Sequence, residues 1–180
     1  MTDEHILAML ADEGQRERGF RCLAERYQDR LYAHIRRLVL DADDAFDVLQ
    51  NALVKVWRNV DRFRGQSRLY TWLYRIATNE ALSFLEQQRR RQAAPLDETA
   101  LAARLTADPE FEGDALQAQL LTALAQLPEK QRLVFNLRYF DEMNYQDMSD
   151  VLETSVGALK ASYHHAVKKI ERYLTEHTDL

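Results

Sequence analysis

The sequence predicts an all-α protein: two small helical domains joined by an acidic linker. Three observations carry this. Ala, Leu, Arg, Glu and Gln dominate, with only five glycines and three prolines in 180 residues, a composition that favours helix. Apolar residues recur at steps of three and four over long windows, and no run alternates apolar and polar residues for long. Two of the three prolines fall within residues 92–113, an acidic stretch that lacks this period. The expected division is therefore 1–91, a linker 92–113, and 114–180.

In order, a short helix is expected over about residues 5–12, with Gly14 and Gly19 loosening the join that follows. A long amphipathic helix is expected over about 20–40, where Phe20, Leu23, Tyr27, Leu31, Ile35, Leu38 and Val39 keep the helical step. Arg36 and Arg37 sit near its end, where the helix dipole favours cations. Asp41, Asp43 and Asp44 supply capping oxygens for a third helix, about 45–60. There Phe46, Leu49, Leu53, Val56 and Val60 form an apolar stripe. Asp44, Asp47, Gln50, Asn51 and Lys55 share the opposite face with Val54. That face suits either plain solvation or docking of a basic helical partner.

A further helix is expected around Trp72–Leu85, with Leu73, Ile76, Ala77 and Phe84 on one side and Arg75, Thr78, Asn79 and Glu80 mostly on the other. Arg89–Arg91 end it favourably. The linker holds room for a short helical piece near 99–105. Its 22 residues reach at most ~73 Å when extended and ~26 Å as a random coil. In the second half one helix is expected over about 114–125. Another, with Pro128 in its first turn, should run to about Phe140, where Asp141, Glu142 and Met143 break it. Asn144 is placed to cap a short helix, YQDMSDVL, with Asp147 three residues on. After a turn at Glu153–Ser155, with Ser155 as cap, a last helix runs from Val156 to about Thr175. A short helix, a tight turn and a longer cationic helix make a helix-turn-helix.

Composition excludes several classes. No apolar run approaches the ~20 residues of a membrane span, and the acidic N-terminus lacks the basic start of a secretion signal. The single cysteine, Cys22, permits no internal disulfide and reads as a core residue. A cytoplasmic protein without metal or cofactor is expected. His164 and His165 are adjacent, and adjacent helical residues point about a hundred degrees apart, which does not suit a shared metal. No nucleophile–base pair or glycine-rich phosphate loop is visible, so no enzyme is expected.

The net charge of −5 hides a local excess. Residues 58–91 carry 8 basic and 3 acidic side chains, a net +5, and a phosphate chain feels charge within a Debye length of ~8–10 Å. Arg62, Phe63, Arg64, Arg68, Tyr70 and Trp72 interleave cations with rings ahead of a helix. That mixture suits an unpaired nucleic-acid strand, whose phosphates meet cations and whose bases stack on rings; the alternative is aromatic core residues and a solvated basic face. The last helix opens on small and polar residues (Ser155, Gly157, Ala158, Lys160, Ala161, Ser162) that fit a major groove, with His164, His165, Lys168 and Lys169 at its flanks.

Taken together, four blocks in order resemble the extracytoplasmic-function (ECF) type of bacterial RNA polymerase sigma factor. They are DDAFDVLQNALVKVW, FRGQSRLYTWLYRIATN, LAQLPEKQRLVFNLRYF and NYQDMSDVLETSVGALKASYHHAVKKI. The resemblance implies a sigma-two-type bundle and a sigma-four-type helix-turn-helix, with core RNA polymerase (its clamp helices and flap), promoter DNA and an anti-sigma protein as partners. It implies polymerase contact by Asp44, Asp47, Leu49, Gln50 and Val54. For the minus-ten strand, including a flipped base, it implies Phe63, Arg64, Arg68, Tyr70, Trp72, Arg75 and Asn79. For the minus-thirty-five groove it points to Lys160, Ser162 and His165, beside the Ser155, Ala158 and Lys169 of the helix pattern. The family often has arginine where Ser162, His165 and Val167 stand, and glutamate-isoleucine-alanine where Asp147, Met148 and Ser149 stand, so base readout is expected to differ. Promoter elements one and a half to two turns apart lie roughly 50–70 Å from each other. The resemblance therefore implies that the core enzyme holds the linker nearly extended. Two alternatives stay open: a polymerase-independent helix-turn-helix regulator, and a helical interaction module without DNA readout.

Overall fold

The computed structural model describes residues 2–91 and 115–177, all helix and connecting turns with no strand among them. In chain order the helices are α1 (Asp3–Ala11), α2 (Arg16–Val39), α3 (Ala42–Asn59), α4 (Leu69–Arg91), α5 (Ala115–Ala125), α6 (Glu129–Phe135), α7 (Tyr145–Leu152) and α8 (Val156–His177). A 3₁₀ turn, Val60–Arg62, follows α3, and α6 continues as a wider π-type turn over Asn136–Phe140. The expected linker and its short helical piece lie outside the described residues.

Local chemistry explains the ends. Thr2 caps α1 through its hydroxyl, Asp41 caps α3 by accepting from the Asp44 amide at 3.1 Å, and Asn144 caps α7 by accepting from the Asp147 amide at 2.8 Å. Pro128 stands one place earlier than expected, as the N-cap of α6 rather than in its first turn. The helix α2 ends on Leu40 in the left-handed region, φ 65°. A left-handed leucine is unfavourable by ~1–2 kcal/mol. Here its side chain is buried against Ala125 and Leu121 of α5, which offsets that strain.

The first half is a bundle of α1–α4. Leu23, Leu31, Ile35 and Leu38 of α2 meet Val48, Ala52 and Val56 of α3 and Leu73, Ala77 and Ala81 of α4 in one buried cluster. The expected stripe of α3 is shifted at its start: Phe46 is 56% exposed, and Ala45 and Val48 take the inward places. Gly19 lies where α1 crosses α2. A Cβ there would stand 3.0 Å from the Leu10 amide nitrogen and 3.0 Å from Met9 Cβ. Gly19→Ala gains helix propensity of roughly 1 kcal/mol but must push α1 off its seat. We expect a net loss of about 1–2 kcal/mol, measured as a lower urea midpoint with an unchanged slope.

The second half packs α6 on α8, α5 on α8, and α7 on α8, with Leu124, Leu127, Phe135, Ala166 and Ile170 in a core of their own. The sequence left the arrangement of the two halves open, and in the structure they are docked. Helix α7 lies against α4, and α6 with its π-type turn lies against α2. Leu133, Leu137, Met148 and Val151 join the buried cluster of the first half.

Candidate nucleic-acid interface

The basic loop is built by the end of α3. The Phe63 amide donates to the Val60 carbonyl at 3.0 Å, closing the 3₁₀ turn. Gly65, at φ +68°, reverses the chain with nothing within 4 Å of where a Cβ would be. Arg68 then starts α4, its carbonyl accepting from the Trp72 amide at 3.1 Å. The Phe63 and Trp72 rings meet with centroids 5.2 Å apart at 47°. Both are half-buried, while Arg62, Arg64, Arg68 and Asn79 are exposed. The two rings of the sequence-expected mixture are thus paired where α4 begins, with exposed arginines on either side of Phe63 in the chain.

Three of the expected strand contacts are engaged by the second half instead. The Tyr70 hydroxyl donates to the Asp141 carbonyl at 3.2 Å, and Arg75 Nε donates to the Asp150 carbonyl at 2.9 Å. Arg68 stands 3.6 Å from the Asp147 carboxylate. Burial, reinforced by the Asp141 charge, pushes the Tyr70 phenol up to about 12, so it remains a neutral donor at physiological pH.

Thr78 departs from the sequence expectation. The sequence expects it mostly on the polar side of its helix, yet it is fully buried. Its hydroxyl lies 2.9 Å from His34 Nε2, and His34 Nδ1 lies 3.0 Å from Asp141 Oδ2. Hydrogen bonding within the bundle makes the polar side chain tolerable there. Sequence reasoning missed His34 and Tyr74 and read Asp141 only as a helix breaker. The one available signal was the step Leu31, His34, Ile35, Leu38, which puts a histidine on the buried face of α2.

On α3, Phe46, Asp47, Gln50 and Val54 form an exposed mixed face, with Val54 at 46% exposure. Asp44 borders it, half-buried, its carboxylate 3.4 Å from Gln88 Nε2. Leu49, expected among the polymerase contacts, is instead packed in the core with 6% exposed; it supports this surface from beneath, and Phe46 supplies its apolar part.

The helix-turn-helix is present as expected. Glu153 turns the chain at φ 51°, and Met148, Val151 and Leu159 lock α7 to α8. Ser155 Oγ accepts from the Ala158 amide at 3.3 Å, so it caps α8 as well as facing solvent. Ser155, Ala158, Lys160, His165 and Lys169 are exposed along α8, and Ser162 is half-buried. Lys160 Nζ lies 5.7 Å from the Tyr145 ring centroid. The His164 and His165 rings diverge by 58°.

Comparison with known proteins agrees with this anatomy. Residues 23–91 match the family model described as Sigma-70 region 2, and residues 117–170 match that described as Sigma-70, region 4. The chain is 34% identical to the RNA polymerase sigma-H factor of Pseudomonas aeruginosa over 168 residues, 88% of this chain and 87% of the relative. It is 30% identical to the ECF RNA polymerase sigma-E factor of Escherichia coli over 181 residues, 95% of this chain and 93% of the relative. Two solved structures share the fold. One is CnrH in complex with the cytosolic domain of CnrY, with a TM-score of 0.72 at 24% identity over 98% of this chain and 99% of that one. The other is the sigma factor RpoE in complex with the anti-sigma factor NepR from Bartonella quintana, with a TM-score of 0.72 at 22% identity over 88% of this chain and 98% of that one.

Proposed function

Because this chain belongs to the ECF type of RNA polymerase sigma factor, we propose a division of labour between its halves. Residues 1–91 hold core polymerase and capture the unpaired minus-ten strand. Residues 114–180 read the minus-thirty-five duplex, and 92–113 join them. The observation that carries this reading is the Phe63–Trp72 ring pair set among exposed arginines. Rings at stacking distance accept a base that has left the helix, and the cations hold the phosphates on either side. Capture offsets an unstacking cost of a few kcal/mol per base, so strand opening becomes favourable only where the sequence supplies the right base.

In this reading Arg64, Arg68 and Arg75 meet phosphates, Phe63, Tyr70 and Trp72 form the base pocket, and Asn79 reads a base edge. On α8, Ser155, Lys160 and Lys169 position the helix on the backbone, while Ala158, Ser162 and His165 face the groove. Asp44, Asp47, Gln50 and Val54, together with Phe46, dock the polymerase clamp. The chain performs no covalent step; phosphodiester synthesis belongs to the core enzyme. Among the described residues no helix is long and apolar enough to cross a membrane, and the reading places the protein in the cytoplasm beside the polymerase. The fold shared with RpoE, solved with NepR, supports an anti-sigma protein as a further partner.

Promoter-specific runoff transcription tests the proposal. Transcript is expected only when core polymerase and this chain are both present; a tight footprint on duplex DNA without polymerase would select the regulator reading instead. Within the holoenzyme, Lys160→Ala should weaken binding at many promoters alike and reduce the slope of log K against log salt by about one. An unchanged slope would remove Lys160 from the phosphate contacts.

A further inference from the structure

The outer face of α8 has an order of its own. Helix positions stepping by three and four share one face, and on α8 one such line runs Ala158, Ala161, His165, Lys168 and Arg172, all exposed. It lies away from the buried line of Leu159, Ala166 and Ile170. Two small residues open the exposed line, two cations close it, and a histidine stands between them. His164 lies one step aside, its ring centroid 6.0 Å from that of His165.

This order fits duplex DNA. Small side chains let the start of the helix sit deep in a major groove, and cations farther along meet the phosphates. His165 falls at the changeover, at the edge of the groove. There the two forms of its ring differ in kind. The imidazolium is a cation with two N–H donors, and the neutral ring is uncharged with one.

Among the described residues neither imidazole makes a hydrogen bond or an ion pair. On α8 itself the charged neighbours one turn away are Lys160 and Lys168 for His164, and Lys168 and Lys169 for His165; the nearest carboxylate, Glu171, is about two turns beyond His164. Of the elements packed on α8, α5 carries no charged residue. On α6, Glu129 pairs with Arg89, Lys130 is exposed, and Arg132 is buried against the Leu38 and Ala125 carbonyls. On the π-type turn, Arg138 sits over the Tyr145 ring and Tyr139 stacks on Phe135. On α7, Tyr145 faces Lys160, Asp147 accepts from Asn144 at 2.7 Å, and Asp150 meets Arg75 through its carbonyl. Glu153, in the turn before α8, is exposed. The free chain thus places cations around both rings and offers neither of them an anion.

Duplex phosphates supply that anion. Negative charge nearby favours the charged ring, and histidine is the side chain whose charge ordinarily changes near neutral pH. We propose that α8 takes up protons when it seats on the minus-thirty-five duplex: His164 and His165 enter the edge of the groove as imidazolium ions, in line with Lys168 and Arg172, so promoter affinity is coupled to pH. This rests on the duplex-reading role proposed above for residues 114–180. Because the DNA favours the charged rings, the added affinity is fully present below the pKa of the free ring and is lost as pH rises through that of the bound one.

Equilibrium binding of the holoenzyme to a promoter fragment that it selects, from roughly pH 6 to pH 8 at fixed salt, tests the coupling. A fragment with a scrambled minus-thirty-five element is the reference, and the ratio of the two affinities cancels the polymerase's own response to pH. Across that range the wild-type ratio should fall about tenfold. His164→Gln and His165→Gln should each remove part of the fall, and the double variant should be flat. His165→Arg stays charged throughout, so it should shrink the fall as His165→Gln does while binding more tightly than wild type at the alkaline end. A flat wild-type ratio, or an undiminished fall in the double variant, overturns the proposal. Lys160→Ala separates it from the reading beneath. If scrambling and Lys160→Ala both weaken binding while the ratio ignores pH, only the proton uptake fails. If neither weakens binding at any pH, α8 does not read the duplex and both fail.

Discussion

Trp72→Ala should slow promoter opening by roughly 5- to 150-fold, the worth of one base stacked on one ring, while the initial duplex complex stays within about twofold of wild type. The asymmetry is the point of the test. In duplex DNA no base is available to stack, so the ring contributes nothing until strands part. Trp72 is half-buried and leans on Phe63 at 5.2 Å, so its removal also leaves Phe63 without its neighbour. Trp72→Phe keeps a stacking face and should recover most of the rate. Permanganate reactivity of unpaired thymines measures opening, and filter binding at low temperature measures the initial complex. Equal losses in both would mean that Trp72 acts before melting, and the base-capture reading would fail.

Phe46→Ala should weaken binding to core polymerase by about 30-fold or more, the effect of losing a central aromatic anchor worth ~2 kcal/mol. Its side chain is 56% exposed, so the fold should tolerate the change with little loss of stability. Leu49→Ala, three residues along the same helix and 6% exposed, is the contrasting case. It should cost about 2–5 kcal/mol of stability through the cavity it leaves, with affinity falling only as the folded fraction falls. Equilibrium titration with core enzyme, beside urea unfolding, separates the two. If Phe46→Ala bound like wild type, the polymerase would have to dock elsewhere on the bundle.

The helices were legible because their order is local. Steps of three and four fix α2 and α3, capping oxygens fix their starts, and Gly65 with the basic loop marks the break before α4. The same local rules found the Asn144 cap and the turn at Glu153. What failed was phase and distance. Phe46 and Leu49 both lie within a turn of the same apolar stripe, and only the angle at which α3 meets α2 and α4 decides which one faces out. Thr78 has the polarity of a surface residue, and its partner His34 lies 44 positions away. Asp141 gives the strongest case. Locally it ends a helix, and its meaning comes from donors 104 and 107 positions earlier. No periodicity reaches that far. The candidate strand-reading surface was visible in composition, since rings and arginines were already neighbours in the chain. That Tyr70 and Arg75 are occupied by the other half was not.

Leu40 carries a mechanical consequence. It holds a left-handed backbone, φ 65°, and the burial that makes this tolerable is supplied by Ala125 and Leu121, on the opposite side of the linker. Without that contact the distortion would stand uncompensated, so the burial of Leu40 favours the docked arrangement of the two halves. The carbonyls of Leu38 and Arg37 accept from Arg132 and Asn136 of the same second half, so the end of α2 is both covered and capped from across the linker.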